Sequence, residues 1–293
     1  MQATNTVKKT ILITGVSSYI GKNLSDSLLK RGYNIIGTAR KKQIDQTCLI
    51  YYSLDLNNIE EVDTIFKQHR IDVVVHCAAL VHDEGKTASQ RDWLKINTEA
   101  SIKLAEIAKR YRVKQMIFMS TIGIYGGSLK PFEKLKKITA QSVPNPQNMY
   151  EISKLKAEQG IQALENEHFS VLIIRPPMVY GNGCPGNYNA LRSITLKLGC
   201  APYYNNSRSM VQIGALVDCI VNAIENENSG CICPQDKRLV NTSDLMMEIL
   251  KEHGCKQKRS VSFGLFIRLA YPFLPPLRKA FGSLVIDEEL SCI

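Results

Sequence analysis

A single turn near the N-terminus constrains this 293-residue chain more than any other feature. Residues 10–14 (TILIT) form a short β-branched run that ends at Gly15, and residues 20–31 (IGKNLSDSLLKR) carry apolar positions at helical spacing until Gly32 stops them. A second apolar strand, Tyr33 to Ala39, comes next. Strand, glycine turn, helix and strand within about 30 residues make a βαβ unit, whose strands are parallel and whose crossover is right-handed.

The alternation continues. Leu49 to Leu54 reads as a strand, Ile59 to His69 as a helix and Ile71 to Cys77 (IDVVVHC) as a fully buried strand. Trp93 to Tyr111 reads as one long helix, Lys114 to Ser120 as a strand, Tyr150 to Asn166 as a helix, and Phe169 to Arg175 as a strand closed by Pro176 and Pro177. This rhythm predicts an α/β fold, a Rossmann doubly wound parallel sheet. After residue 176 it breaks into Gly, Pro and Asn-rich stretches (YGNGCPGNYN, APYYNNSRSM), which predict a smaller α/β C-terminal substrate lobe over the sheet's carboxyl edge. The expected division is a Rossmann domain over 1–175 and a substrate lobe over 176–293, with segments of about 211–240 returning to the sheet.

With 44% hydrophobic and 22% charged residues, the chain can bury a core without disulfides or metals. Thirty-seven Lys and Arg against twenty-seven Asp and Glu give a formal charge of +10, which favours anionic partners such as nucleotides. Nothing marks a nucleic-acid platform, and the basic run Lys130 to Lys137 reads as a solvated face. The nine cysteines are odd in number and scattered, which predicts reduced thiols; Cys231 and Cys233 make only C-x-C, and no metal site is expected. His82, with Asp83 and Glu84, reads as a polar loop. The N-terminus carries no signal-peptide or membrane-span pattern, so a cytoplasmic protein without an integral membrane segment is expected. Residues 263–281 (FGLFIRLAYPFLPPLRKAF) are apolar and basic, but Arg268, Pro272, Pro275 and Pro276 forbid a continuous spanning helix; a packed subdomain is favoured over contact with a membrane surface.

Thr14-Gly15-Val16-Ser17-Ser18-Tyr19-Ile20-Gly21 lies between the first strand and helix, where backbone N–H groups and a helix N-terminus can face a pyrophosphate. Ser18 stands where a glycine is usual at the closest backbone approach, so either a β-carbon intrudes there or a bound dinucleotide shifts slightly. Beyond the second strand, where an acidic residue would hold an NAD ribose, the chain has Arg40 followed by Lys41 and Lys42. A cation there suits a 2′-phosphate, so NADP is preferred over NAD.

Tyr150-Glu151-Ile152-Ser153-Lys154 opens a helix and places Tyr150 and Lys154 one turn apart on the same face. A phenol titrates near ~10, so acid–base work near neutrality calls for a cation beside it. At this point the chain resembles the extended short-chain dehydrogenase/reductase family, the NAD(P)-dependent epimerase/dehydratases of nucleotide sugars. The resemblance runs from residue 10 to about 287. It is carried by TGVSSYIG (14–21), Asp55-Leu56, HCAA (76–79), Asn97, MSTIGIYG (119–126), YEISK (150–154), RPPMVYG (175–181) and RSMVQIGALVD (208–218).

The resemblance implies that Tyr150 is the acid/base and that Lys154 lowers its pKa and holds the nicotinamide ribose. Thr121, with Ser120 as runner-up, falls at the hydroxyl that contacts the reacting sugar oxygen. Gly15, Ser17, Ser18, Tyr19, Ile20 and Gly21 match the pyrophosphate turn, and Asp55 and Leu56 the adenine contacts. Cys77, Ala78, Ala79 and Asn97 match the cofactor trough, and Pro176, Pro177 and Val179 the segment beside the nicotinamide. Arg208 and Asn187 match substrate diphosphate contacts. His76 reads as a packed residue closing its strand.

The implied reaction is hydride transfer at a keto or hydroxyl carbon, C4 by preference, of a nucleotide sugar, with UDP as the preferred nucleotide. A 4-ketoreductase and a 4-epimerase of surface-polysaccharide precursor synthesis both stay open, and Arg40 leans towards the reductase. A dehydratase fits less well, because Ile122 and Gly123 follow Thr121 where an Asp-Glu pair is usual. A non-catalytic NADP-binding regulator and a reductase of a non-sugar carbonyl are the alternatives. Family relatives pair through the helices matching 93–111 and 150–166, so the resemblance also implies a homodimer.

Overall fold

The inner strands of the large sheet are largely runs of Val, Ile, Leu, Met and Phe buried on both faces, the composition that a parallel sheet covered by helices demands, whereas its two edge strands are partly exposed. The computed structural model describes residues 8–40, 50–81, 88–126 and 135–291. In chain order the strands are β1 (Thr10–Thr14), β2 (Asn34–Ala39), β3 (Ile50–Ser53), β4 (Val73–His76), β5 (Gln115–Met119), β6 (Leu135–Ile138) and β7 (Ser170–Ile174). They continue with β8 (Met178–Tyr180), β9 (Ala201–Pro202), β10 (Met210–Gln212), β11 (Gly230–Ile232), β12 (Arg259–Ser260) and β13 (Ser283–Ile286). The helices are α1 (Tyr19–Lys30), α2 (Ile59–Gln68), α3 (Gln90–Trp93), α4 (Ala100–Arg110) and α5 (Met149–Gln162), followed by α6 (Asn187–Leu198), α7 (Ile213–Glu225), α8 (Thr242–Glu252), α9 (Val261–Ala270) and α10 (Pro275–Phe281).

The chain divides into two units. The first contains the described residues up to Thr121, Asn148–Arg175 and Val217–Ile232; the second contains Ile122–Gln147, Pro176–Leu216 and the described residues from Cys233. Residues 122–147, expected with the Rossmann domain, cluster with the second unit, and the returning segment is Val217–Ile232.

In the first unit seven strands pair in the order β11-β7-β5-β4-β1-β2-β3, all parallel. This is the doubly wound Rossmann sheet, and its topological switch point lies between β1 and β4. There Thr14 pairs in register with His76, so the chain leaves both strands at Gly15 and Cys77, side by side at the carboxyl edge. On one face α2, α4 and α5 bury Val62, Ile65, Phe66, Leu104, Ala108, Ala157 and Ile161 against the strands. Each fully buried large aliphatic or aromatic residue contributes roughly 1.5–3 kcal/mol. Asn58 caps α2 and Asn148 caps α5, each accepting from the N–H three residues on.

The long helix expected over 93–111 is interrupted. Leu94–Glu99 widens to a π-helical turn between α3 and α4, and this turn buries Asn97 and Thr98. The cysteine expectation is also corrected: Cys219, on α7, is disulfide-bonded, whereas Cys77, Cys184, Cys200 and Cys255 are free. Lys41, Lys42, Cys48, His82, Asp83, Glu84, Cys292 and part of the 130–137 run lie outside the described residues.

The second unit joins short parallel strand pairs, β6 with β13, β8 with β10 and β9 with β12, to α6, α8, α9 and α10. Its core gathers Ala201, Met246, Ile267 and Phe281.

One of the tightest points of the first unit is the turn beneath α1. A β-carbon on Gly21 would lie 2.3 Å from the Gly15 carbonyl oxygen and 2.9 Å from the Val16 Cα, both backbone atoms that cannot swing aside. Gly21→Ala is expected to destabilise the chain by about 1–3 kcal/mol, as overpacking of a rigid site does. Urea unfolding of the two proteins checks this, and an unchanged midpoint would refute it.

Candidate active site

At the switch point the backbone of the β1 turn approaches that of the β4 end as closely as backbone allows. Gly15 has φ of +67°, and a β-carbon on it would fall 2.7 Å from both N and Cα of Ala78. Only glycine satisfies both the left-handed conformation and the contact. Ser18 caps α1: its hydroxyl accepts from the Gly21 N–H at 3.1 Å. The hydroxyl that departs from the glycine pattern is therefore engaged by the helix's own backbone. The rest of the first turn, from Tyr19 and Ile20, lies at the helix N-terminus, where the N–H groups of a helix lack intrahelical partners. These features fit a dinucleotide pyrophosphate, and Gly15, Ser17, Ser18, Tyr19, Ile20 and Gly21 would hold it.

Behind the turn lies a fully buried polar chain. His76 is hydrogen-bonded through Nδ1 to the Thr14 hydroxyl and through Nε2 to the Ser101 hydroxyl at 2.8 Å, and Ser101 in turn donates to the Asn97 carbonyl at 2.7 Å. Burial, reinforced by the nearby Lys154 charge, lowers the His76 imidazole to about 3. Asn97 clamps the chain after Ala79: its Oδ1 accepts from Leu80 N–H at 2.7 Å, and its Nδ2 donates to the Leu80 carbonyl and to the Ser153 hydroxyl, each at 3.1 Å. Thr98 donates to the Ser153 carbonyl at 2.8 Å. The π-helical turn thus ties the segment after β4 to the Tyr150–Lys154 helix.

On α5, Lys154 is almost wholly buried, donates to the Met119 carbonyl at 2.8 Å and lies 4.5 Å from the Phe118 ring centroid. Desolvation depresses its ammonium to about 8, while Cys77 and Glu158 act in the opposite direction. Glu158, one turn further on, is committed to Arg175, whose Nη2 reaches Oε2 at 2.6 Å and whose Nε reaches both carboxylate oxygens. Tyr150 is partly buried, with its ring edge-on to Trp93 at 6.0 Å; burial and the adjacent Glu151 push its phenol up to about 12. Burial likewise pushes the Cys77 thiol up to about 12. Beyond Met119, Ser120 is buried with an unpartnered hydroxyl, and Thr121 is partly buried.

Arg40 and Asp55 are exposed beyond the ends of β2 and β3, where the Ser53 hydroxyl donates to the Arg40 carbonyl at 3.2 Å. Asp55 Oδ1 accepts from the Asn57 N–H and from its side-chain amide, and Leu56 packs against the main core.

The second unit carries the other expected residues. Pro176 and Pro177 are buried, and Val179 on β8 is half-buried, its carbonyl accepting from the Cys184 thiol. Asn187 is the exposed first residue of α6. Arg208 Nη1 donates to the Lys279 and Gly282 carbonyls at 2.7 and 3.0 Å, its Nε is buried without a partner, and desolvation lowers it to about 10. Sequence reasoning gave no role to Trp93, Ser101, Ser153 or the Glu158–Arg175 pair. Trp93, the one Trp in the chain, lies four residues before Asn97, and Ser153 sits inside Y-x-x-x-K, but neither spacing announces a contact.

Comparison with known proteins accords with this geometry. The family model "NAD dependent epimerase/dehydratase family" matches residues 11–230. A UDP-glucose 4-epimerase of Vibrio cholerae is 31% identical over 253 residues, spanning 82% of this chain and 75% of the relative. The chain therefore belongs to the NAD-dependent epimerase/dehydratase family. Among solved structures, Bordetella bronchiseptica WbmG in complex with NAD aligns with a TM-score of 0.75 at 19% identity, covering 98% of this chain and 88% of that one. A dTDP-4-dehydrorhamnose reductase of Bacillus anthracis in complex with NADP aligns at 0.68 and 20% identity, covering 88% and 86%. These two likenesses show the fold.

The His76 environment has a signed consequence for pH dependence. An unfolded imidazole titrates near ~6.5, and in the fold it is held neutral down to about 3. The folded chain binds fewer protons than the unfolded one across that window, so this stabilising contribution is complete above pH 6.5 and is lost as pH falls towards 3, at up to about 1.4 kcal/mol per pH unit. Ring chemical shifts in NMR are expected to show His76 neutral at pH 5; a charged ring there would contradict the buried network.

Proposed function

We propose that this chain is a UDP-sugar 4-epimerase that works with a nicotinamide dinucleotide. The observation that carries the reading is the α5 helix, which has Tyr150 and the buried, charge-bearing Lys154 on one face while Lys154 is anchored to the end of β5 just before Ser120 and Thr121. The 31% identity to a UDP-glucose 4-epimerase supports the substrate and the C4 position.

In this reading the nicotinamide supplies the hydride acceptor and donor. Tyr150 moves the hydroxyl proton, Thr121 contacts the reacting sugar oxygen with Ser120 beside it, and Lys154 holds the nicotinamide ribose. By themselves burial and Glu151 keep the phenol protonated, the form that acts as an acid, so its turn as a base needs added positive charge close by. Lys154 is the resident source. Asp55 and Leu56 take the adenine side, Cys77, Ala78, Ala79 and Asn97 line the trough, and Pro176, Pro177 and Val179 flank the nicotinamide. Arg208 and Asn187 meet the diphosphate. We place the enzyme in the cytoplasm, as a homodimer paired through the helices of 93–111 and 150–166, in surface-polysaccharide precursor synthesis.

One observation favours a second reading. Arg40 stands exposed at the end of β2, where a cation suits the 2′-phosphate of NADP, and NADP-dependent 4-keto-sugar reduction would use it. Incubating the protein and NAD with UDP-glucose and no added reductant separates the two. Appearance of the 4-epimer by NMR supports the epimerase; turnover of a keto-sugar with NADPH alone supports the reductase.

Tyr150→Phe is expected to lower turnover by roughly 10²–10⁴-fold while leaving dinucleotide affinity intact, measured by calorimetry beside the assay. Retained turnover would end the proposed mechanism. Arg40→Ala is expected to weaken NADP binding selectively, and an equal effect on NAD and NADP would remove the case for the reductase.

A further inference from the structure

The apolar, basic segment that the sequence singled out near the C-terminus is folded and packed on one side only. Helix α9 presses Gly264 and Ile267 inwards, with Phe263 beside them, against the core of Ala201, Met246 and Phe281. The packing is close, since a β-carbon on Gly264 would fall 2.4 Å from the Tyr203 carbonyl oxygen. The opposite side of the same helix and the turn after it are also apolar. Val261, Leu265, Phe266, Leu269, Phe273 and Leu274 are between 42% and 77% exposed. At 100° per residue the first four, with Phe273 if the turn is continued, fall within one arc of about 140° facing away from the core. Scattered exposed leucines call for no explanation, but six large apolar side chains within fourteen residues form a patch that marks an interaction site.

The charges around the patch indicate what covers it. From His253 to Ile286 the sequence contains no Asp or Glu, while Lys256, Lys258, Arg259, Arg268, Arg278 and Lys279 all fall in this stretch. Arg259 is paired with Asp244 of α8. The other carboxylates of α8, Glu248 and Glu252, line a separate cavity of about 650 Å³ with Arg192 and His253. Lys256, Lys258, Arg268 and Lys279 are exposed; Arg268, at about 340° counted from Val261, borders the apolar arc, and Lys256 and Lys258 lie in the stretch leading into α9. A greasy helical face with phenylalanines and leucines, rimmed by cations and without nearby anions in sequence, matches the surface of a bilayer carrying anionic headgroups. The ten residues of α9 span about 15 Å, half the ~30 Å of a hydrocarbon core, and among the described residues no helix is long and apolar enough to cross a membrane. The geometry is that of a helix lying in the interface plane.

We propose that the α9 face is a membrane-docking surface that seats the protein on anionic phospholipid. The inference stands apart from the proposed reaction, because it uses none of the residues given a role in it.

The test is co-sedimentation of the full chain with vesicles of phosphatidylcholine alone and of phosphatidylcholine mixed with phosphatidylglycerol. Binding is expected to the mixed vesicles, to fall sharply with added salt, and to be weak on phosphatidylcholine. Lys256→Glu with Lys258→Glu is expected to weaken it about tenfold or more, whereas Lys30→Glu with Arg70→Glu, the same change in net charge at exposed positions of the first unit, leaves it nearly unchanged. Leu265→Ser with Leu269→Ser should abolish it; these side chains are exposed, so far-UV circular dichroism and the thermal midpoint should match the parent. Equal loss from both charge pairs would overturn the proposal in favour of attraction by net charge. No binding to either vesicle, with the leucine variant splitting an oligomer in sedimentation velocity, would assign the face to a second copy of the chain and overturn it equally.

Discussion

The arrangement rests on the contact between two backbones at the switch point of the sheet. Parallel pairing of β1 with β4 delivers Gly15 and Cys77 to the same edge, and the absence of a β-carbon on Gly15 lets the turn lie against Ala78. Any side chain there would push the N-terminus of α1 away from the β4 end and open the cradle that a pyrophosphate needs. Gly21 repeats the constraint one turn into the helix, against the carbonyl of Gly15 itself. The position of α1, the direction of its N-terminus and the trough after β4 thus share one steric condition, held from behind by the buried Thr14–His76–Ser101–Asn97 chain.

Around that cradle the buried polar groups are arranged so that few are left unpaired. Glu158, fully buried, is held by the fork of Arg175, the geometry that best satisfies a carboxylate away from water. This pairing leaves Lys154 without a full carboxylate partner, and its ammonium is supported by a carbonyl and by the face of Phe118. Burial destabilises its charged form, which is why its pKa falls although Glu158 acts in the opposite sense, and the cation attracts any electron-rich oxygen brought near.

Much of the first unit was legible because its signals are local. Apolar runs of strand length, glycine stops and helical spacing marked every strand of the sheet up to β7 within a few residues, and the Y-x-x-x-K spacing correctly put Tyr150 and Lys154 on one helical face. What escaped depends on long-range packing. The π-helical turn at Leu94–Glu99 follows from Asn97 reaching Leu80 and Ser153, partners 17 and 56 residues away. The same holds for the grouping of Ile122–Gln147 with the second unit, since that stretch carries no break in composition, and its β6 pairs with β13 nearly 150 residues on. The Ser18 departure was legible as chemistry, and the structure adds its local partner: a serine at a helix start has an N–H to cap, and its hydroxyl accepts from Gly21. Cysteine spacing likewise could not report that Cys219 is bonded, because a disulfide depends on which chains meet in space.

The two perturbed groups on α5 move in opposite senses, and the difference bears on how a phenol could work in both directions. Tyr150 is raised because its charged form would be a buried anion beside Glu151; Lys154 is lowered because its charged form is a buried cation. Each penalty would be relieved by the charge of the other. With the phenol at about 12 and the ammonium at about 8, the fold favours the neutral phenol and keeps the lysine near the pH at which it gains or loses its proton. In the proposed reaction, donation of the phenolic proton to the sugar oxygen as a carbonyl is reduced would leave on Tyr150 the anion that Lys154 lacks, and a proton returned from a sugar hydroxyl would restore the neutral phenol, so the charged pair would form only within the reacting complex. Coupling of this kind places the electrostatic gain in the reacting complex and not in the resting protein, which is where it accelerates a reaction.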